Sequence, residues 1–426
     1  MRSARAARPH DQHHCAALKM TVVFLSVSSQ MGGSEVSLLE LVRGLRRLVP
    51  HWNLHVVVPR EGPLPRAIEQ AGGRVHVLPL PERLTRVGES RSGAATSLRR
   101  GAALLMAAGS LAPYGRRLAS LLAAISPDIV HTNGFKMHVL GARALPSDAA
   151  LVWHLHEYVQ RRPISRRLLR RYAGRCALVV ANSRSVAAEV ASILPVEAPV
   201  RTIHNAVDAR VFAPDGPTMD LDGLAGLTPA AAGTVRIGLV ATYGRWKGHS
   251  TFLDAVAALD PVLPWRAYII GGALYETGGS QYSREELSAA IAAAGLNDRV
   301  GLTGFIDRSA DALRSLDIVV HASTQPEPFG LVIAEGLASG RAVVVSAAGG
   351  AAELVTDGVD ALTHTPADSA GLSRCLARLV MDPALRSALG AAGRASALRR
   401  FDTDDFVRGF IDVYEEARRA AAHAGN

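Results

Sequence analysis

Gln325-Pro326-Glu327-Pro328-Phe329-Gly330-Leu331-Val332-Ile333-Ala334-Glu335 closely follows Asp317-Ile318-Val319-Val320-His321-Ala322. The earlier run reads as a buried strand. Glu327 sits between two prolines, so its backbone is held extended. The apolar run after Gly330 reads as a helix that stops at Gly340. In an open parallel α/β sheet, ligands bind where strand, loop and helix succeed one another in this way. There the helix N-terminus offers free N–H groups to an anion. Two carboxylates, one on the loop and one two turns into the helix, suit the two ends of a polyhydroxylated, phosphorylated ligand.

The same alternation extends outward in both directions. Strands are expected at Thr21–Ser26, Leu54–Val58, Val75–Leu78, Asp128–His131, Leu151–Leu155, Ala177–Ala181 and Val200–Ile203, with helical patterns between them. Residues 209–233 lose all periodicity and read as a linker. Strands resume at Val235–Val240, Ala267–Ile270, Val300–Leu302, Ile318–Ala322 and Ala342–Ser346. The expectation is α/β: two Rossmann-like doubly wound domains facing a cleft. Residues 20–208 form the first and 234–400 the second. Residues 401–426 form a terminal helix packing back on the first domain, and residues 1–19 a disordered tail. Met20 opens a clean strand, so a translation start there is one reading.

A chain of 426 residues, 48% hydrophobic, has enough apolar material for two ordinary cores. Its three cysteines, Cys15, Cys176 and Cys375, are far apart and odd in number, which points to a reducing compartment without a disulfide framework. The net charge of +9 is unevenly spread: residues 1–208 carry 28 Lys and Arg against 13 Asp and Glu, the remainder 19 against 25. A first half at +15 and a second at −6 fit either an anionic partner or a solvated Arg-rich surface. Candidate contacts are Arg99, Arg100, Arg116, Arg117, Arg161, Arg162, Arg166, Arg167, Arg170 and Arg171. No apolar segment reaches membrane-spanning length. A cytoplasmic location is expected, peripheral to the inner face of the membrane if the basic half meets lipid.

Several strand ends carry polar or glycine-rich signals. Gln30-Met31-Gly32-Gly33-Ser34-Glu35 opens a helix after the first strand; it is either a phosphate-approach loop or an ordinary turn. Thr242-Tyr243-Gly244-Arg245-Trp246-Lys247-Gly248 offers two cations to a diphosphate, or two surface charges. His154-Leu155-His156-Glu157 ends a strand at the expected cleft, with His156 in either a polar active-site role or a structural one; two histidines at i, i+2 could bind metal, but nothing supplies a clear third ligand. His131-Thr132-Asn133-Gly134 is a similar end facing an acceptor. Gly271-Gly272 and Gly349-Gly350 follow strands and could bring backbone near a ligand. The strings Asp220-Leu221-Asp222 and Asp402-Thr403-Asp404 read as structural, so no metal site is expected. A P-loop, a G-x-G-x-x-G fingerprint and a G-x-S-x-G elbow are all absent. There is no recognised nucleic-acid module either.

Taken in order, these motifs resemble the GT-B glycosyltransferases of family 4 (glycosyl transferases group 1), from about Met20 to the C-terminus. The matching stretches are Gly32-Gly33 with Glu35; His156-Glu157; His204-Asn205-Ala206-Val207-Asp208 with Phe212; Trp246-Lys247-Gly248; Gly301 to Phe305; Glu327 to Glu335; and Gly349-Gly350 to Glu353 with Asp357-Gly358. Aligned on Lys247-Gly248, the family's usual arginine falls on Thr242, and Arg245 is the substitute.

The resemblance implies a retaining, metal-independent hexosyltransferase that uses a nucleoside-diphosphate sugar as co-substrate, with no cofactor. Catalytic roles fall to Glu327, Lys247, Arg245 and His156. Donor binding falls to Glu335, Gly32, Gly33, Gly272, Phe305, Phe329, Gly330 and Leu331, the last three through their backbone. His131, Asn133 and Glu157 stand on the acceptor side. The acceptor is a hydroxyl on a lipid, a polysaccharide or a small metabolite. The other readings are a nucleotide-sugar epimerase of the same fold and a non-catalytic sugar-nucleotide binding protein.

Overall fold

The computed structural model describes residues 19–81, 112–160, 162–194, 199–273 and 279–424. Residues 1–18 of the expected tail, and Arg99, Arg100 and Arg161 of the basic set, lie outside the described residues.

Seven strands form the first sheet: β1 (Thr21–Ser26), β2 (Asn53–Val58), β3 (Arg74–Val77), β4 (Ile129–Asn133), β5 (Ala150–Leu155), β6 (Leu178–Ala181) and β7 (Val200–Thr202), in the order β3-β2-β1-β4-β5-β6-β7. The second sheet contains β8 (Val235–Val240), β9 (Trp265–Ile270), β10 (Val300–Gly304), β11 (Ile318–His321), β12 (Ala342–Ser346) and β13 (Leu362–His364), in the order β10-β9-β8-β11-β12-β13. Every pairing within both sheets is parallel. The central strands, such as β1, β2, β5, β9 and β12, are mostly apolar and buried because helices cover both faces. In β1, Val23 and Leu25 enter one core while Val22 and Phe24 enter the other. Strand order reverses between β1 and β4 and between β8 and β11, which opens a crevice at the C-terminal edge of each sheet.

Helix Thr403–Ala424 lies against the first sheet, not the second. Its Phe406, Val407, Phe410, Val413 and Tyr414 join the core that contains Val22, Phe24 and Val56. Gly44 makes the approach to helix Gly33–Leu48 feasible: a β-carbon there would lie 2.2 Å from a methyl of Val407. Asp402 caps the start of the terminal helix, accepting the Asp404 and Asp405 N–H groups at 2.8 and 3.0 Å.

The segment 209–233 differs from the expected linker, for it is docked on the second domain and contains a short helix, Leu221–Ala225. Polar anchors order it in place of apolar periodicity. Arg314 donates to the carbonyls of Pro217 and Val211 (2.7 and 2.9 Å), and Arg394 to that of Phe212 (2.7 Å). Asp222 is buried and accepts from Tyr268 at 2.7 Å and from Arg266 at 2.9 Å. Both D-x-D strings therefore serve structure, since Asp220 caps the short helix through Gly223 N. No described helix is long and apolar enough to cross a membrane.

Candidate active site

The extended loop predicted from the two prolines places Glu327 at the C-terminal edge of the second sheet, beside the end of β11. Its carboxylate is nearly buried and fully engaged. Lys247 Nζ donates to Oε1 at 2.6 Å, while His321 Nε2 and Ser323 Oγ reach Oε2 at 2.9 and 2.5 Å. Burial alone would raise its pKa, but Lys247 and His321 win and hold it well below the usual carboxylate range. His321 and Ser323 were not singled out in the sequence. A histidine ending an apolar strand a few residues before a buried acid was the available signal.

Lys247 reaches Glu327 because of the glycine after it. Gly248 has φ +79°, and a β-carbon there would stand 1.8 Å from the carbonyl oxygen of Ala322. Only glycine lets this turn press against the end of β11. Arg245, expected beside Lys247 at a leaving group, turns the other way. Its guanidinium pairs with Glu286 at 2.6 Å and lies over the Tyr282 ring at 4.3 Å. One turn of 3₁₀ helix, Arg245–Lys247, separates the two cations.

Glu335 presents the opposite electrostatic state. It lies in helix Leu331–Ala338 and is only partly exposed. Among the described residues no group donates a hydrogen bond to its carboxylate or pairs with it. Burial pushes its pKa up to about 7. Between the two acids, Gly330 adopts φ +93° and starts the helix. Gly33 of the first domain faces this point, its virtual β-carbon 3.5 Å from Leu331 Cδ1. Gly33 and the N-terminus of helix Leu331–Ala338 thus confront each other across the cleft. Phe329 contributes its backbone here, for its ring is buried against His204 and Phe401. At the far end, Phe305 is 61% exposed and flanks Gly272, whose virtual β-carbon is 3.5 Å from Phe305 Cβ.

From the first domain, His156 follows β5 and its Nε2 meets Asn133 Oδ1 at 2.8 Å. Asn133 uses its amide N–H on Ser34 O at 3.1 Å, so Oδ1 is the acceptor and His156 Nε2 carries the proton. Burial lowers the His156 pKa to about 3, so the ring is neutral and Nδ1 keeps a lone pair. Glu157 is exposed at the rim and paired with Arg162 at 2.5 Å. His131 does not face the cleft. It is wholly buried under the terminal helix, Nδ1 bonded to Tyr414 OH at 2.7 Å, and its expected acceptor role is withdrawn. It shares a face with Asn133, but two residues earlier along β4 that face is covered.

Gly349-Gly350 also has a different role from the expected ligand approach. A β-carbon on Gly349 would sit 2.3 Å from Tyr158 OH, and one on Gly350 would sit 1.8 Å from Pro328 O and 2.8 Å from Ser183 Cβ. These glycines let the second domain touch the first.

Comparison with known proteins matches residues 31–211 to the family Glycosyltransferase Family 4 and residues 230–396 to the family Glycosyl transferases group 1. The lipopolysaccharide core biosynthesis mannosyltransferase LpsB of Rhizobium meliloti is 31% identical over 52% of this chain and 62% of its own length. The D-inositol 3-phosphate glycosyltransferase of Xylanimonas cellulosilytica is 30% identical over 52% of each chain. The chain thus spans just over half the length of these curated relatives. Among solved structures, the Anabaena protein HepE with UDP and glucose aligns at a TM-score of 0.75 and 26% identity, covering 93% of this chain and 99% of that one. HepE has also been solved with UDP-glucose.

Proposed function

The chain belongs to the GT-B glycosyltransferases of group 1 and family 4, and on that footing we propose that it moves a hexosyl group from a nucleoside-diphosphate sugar to a hydroxyl acceptor, with retention of anomeric configuration. The observation that carries this reading is the pair of acids in opposite states around one helix N-terminus. Glu335, partly buried and without a hydrogen-bond or ion-pair partner among the described residues, takes hydrogen bonds from ribose hydroxyls. Phe305 stacks on the base. The N–H groups at the start of helix Leu331–Ala338 hold the distal phosphate. Glu327 holds sugar hydroxyls. The bond from C1 to the diphosphate oxygen breaks with its electron pair on the diphosphate, the acceptor hydroxyl oxygen bonds to C1 from the same face, its proton passes to the departing phosphate oxygen, and Lys247 opposes the charge that develops there. The neutral Nδ1 of His156 accepts from a sugar hydroxyl on the opposite wall. HepE, solved with UDP and UDP-glucose, supports a nucleotide-sugar donor.

A thermal-shift screen with UDP-, GDP- and ADP-sugars identifies the base, because a ligand selective for the folded state raises its midpoint. Transfer to a hydroxyl acceptor by the stabilising donor then tests the activity. Conversion of donor without any acceptor would instead identify an epimerase, and binding without turnover a non-catalytic protein.

The acceptor is proposed to be presented at an anionic membrane surface. Helix Pro163–Tyr172 exposes Ile164 and Leu168, 52% and 41% accessible, among the exposed Arg166, Arg167, Arg170 and Arg171. An apolar pair within a basic face suits an anionic interface. Co-sedimentation with phosphatidylglycerol vesicles that weakens with salt is the expected result; equal binding to neutral vesicles would refute it.

A further inference from the structure

Among the described residues, Tyr158 and Glu353 each reach from one half of the molecule to the other and end on loops beside the candidate site. Tyr158, just past β5, reaches across the cleft. Its hydroxyl accepts the Gly350 N–H at 3.1 Å, lies 2.9 Å from Ser185 Oγ and donates to the carbonyl of Glu327 at 3.4 Å. One donor and two acceptor sites are thereby all used. Coming the other way, Glu353 of the second domain accepts the N–H groups of Arg184 and Ser185 at 2.9 and 2.6 Å, and His204 Nε2 lies 3.3 Å away. Those two N–H groups are free donors of the first turn of helix Arg184–Ile193, whose Val186 N is already capped by Ser183. Hence a second-domain carboxylate completes the N-terminus of a first-domain helix.

The Glu327 backbone is itself tied to this region. Glu327 N donates to Ala348 O and Ala351 N donates to Glu327 O, each at 3.3 Å. The Tyr158 hydroxyl therefore contacts both strands of a short backbone pairing whose other member carries the Lys247-bound carboxylate. Gly349 and Gly350 are the residues that admit it.

The geometry points to Tyr158 and Glu353 as an interdomain latch, with Tyr158 a positioning residue that fixes Glu327 only when the cleft is closed. This rests on the proposed transferase reading. The proposed base, ribose and phosphate contacts (Phe305, Glu335 and the N-terminus of helix Leu331–Ala338) lie on the second domain, so loosening the latch should leave nucleotide affinity nearly intact while misplacing the sugar-holding acid.

Tyr158→Phe removes a single oxygen, and Glu353→Gln keeps one acceptor. Each variant is expected to lower kcat about 10- to 100-fold, the scale of a small misplacement of a positioned group. KM for the donor and the Kd for UDP or GDP, whichever binds, should stay within about threefold, because the ground-state contacts are untouched. Small-angle scattering of both variants should show a larger radius of gyration than wild type. Wild-type kcat with unchanged scattering would overturn the latch, as would a loss carried by nucleotide affinity alone. If wild type transfers no sugar at all, the transferase reading fails, and scattering still decides whether the two residues hold the halves together.

Discussion

Replacing Lys247 with alanine separates what the Lys247–Glu327 pair does for folding from what it does for chemistry. Side-chain exposure is 18% for Lys247 and 9% for Glu327, so the pair is largely out of water. Removing one member leaves a buried carboxylate served only by His321 and Ser323, and such losses run to about 3–5 kcal/mol. Glu327 can relieve part of this by taking up a proton, so a net loss of about 2–3 kcal/mol is expected. In a domain of this size each kcal/mol moves Tm by about 2–4 °C, so calorimetry should show a fall of roughly 4–12 °C. Adding Glu327→Gln removes the stranded charge and should restore most of the midpoint. Turnover should not follow. Loss of a group facing developing charge typically costs about 100- to 1000-fold in kcat, and the double variant lacks both the cation and the acid. Stability rescued without activity is the signature of a pair with two roles. A Lys247→Ala protein with an unchanged midpoint and near-normal transfer would refute the reasoning, as would a double variant that regains turnover.

Three other outcomes follow from the same geometry. Glu335 has its pKa raised to about 7, so between pH 4.5 and 7 the folded state holds a proton that the unfolded state releases. Stability from this group is thus lost as pH rises; Glu335→Gln should stabilise the protein above pH 7 by at most about 3 kcal/mol, at 1.36 kcal/mol per unit, while weakening nucleotide binding. Chemical denaturation at pH 5 and pH 8 checks the sign. Burial lowers His131 and His154 well below the ordinary histidine value, and His138 and His156 to about 3. The unfolded chain therefore binds more protons below pH 6.5. First-domain stability should hold above that value and fall steeply as pH drops toward 3, in melts followed by circular dichroism. Gly248→Ala should lower both the midpoint and turnover, because its β-carbon would overlap Ala322 O and its φ is left-handed; a fully active variant would show that the turn is not what delivers Lys247.

The central strands of both domains were legible because they are mostly apolar runs alternating with helical patterns, and β8 and β12 fall at the residues expected. β13 was missed: three residues, Leu362–His364, offer no pattern to read. The order in 209–233 was hidden for another reason. Arg314 and Arg394, about a hundred or more residues away in sequence, bind its carbonyls, and neither leaves a local trace. At the candidate site, the sequence marked Glu327, Glu335 and Lys247 as polar residues following strands, their roles resting on the family resemblance, and the structure brings Lys247 onto Glu327. The direction of Arg245 depends on Glu286 and Tyr282, and the burial of His131 on the docking of the terminal helix; both are tertiary facts. The same holds for Gly349-Gly350. A glycine pair signals close backbone approach, but not whether the approaching group is a ligand or, as here, Tyr158.

The contrast between the two acids carries a thermodynamic consequence that a nucleotide must obey. Glu327 is already ionised and fully bonded, so a sugar hydroxyl there has to share it with Lys247, His321 and Ser323. Glu335 has no described partner and is near half-protonated at pH 7 because burial opposes its charge. Ribose hydroxyls that donate to it favour the ionised form and draw its pKa back down. On the proposed reading, binding UDP or GDP near neutral pH should therefore release a fraction of a proton from this carboxylate. Titration calorimetry in buffers of different ionisation enthalpy measures that release directly. The nucleotide's own phosphate also titrates in this range, so the informative quantity is the difference between wild type and a variant that still binds weakly, Glu335→Gln. A smaller proton release in Glu335→Gln than in wild type is expected. Equal release would mean that the ribose does not meet Glu335, and the assignment of the two acids to the two ends of the donor would have to be reversed.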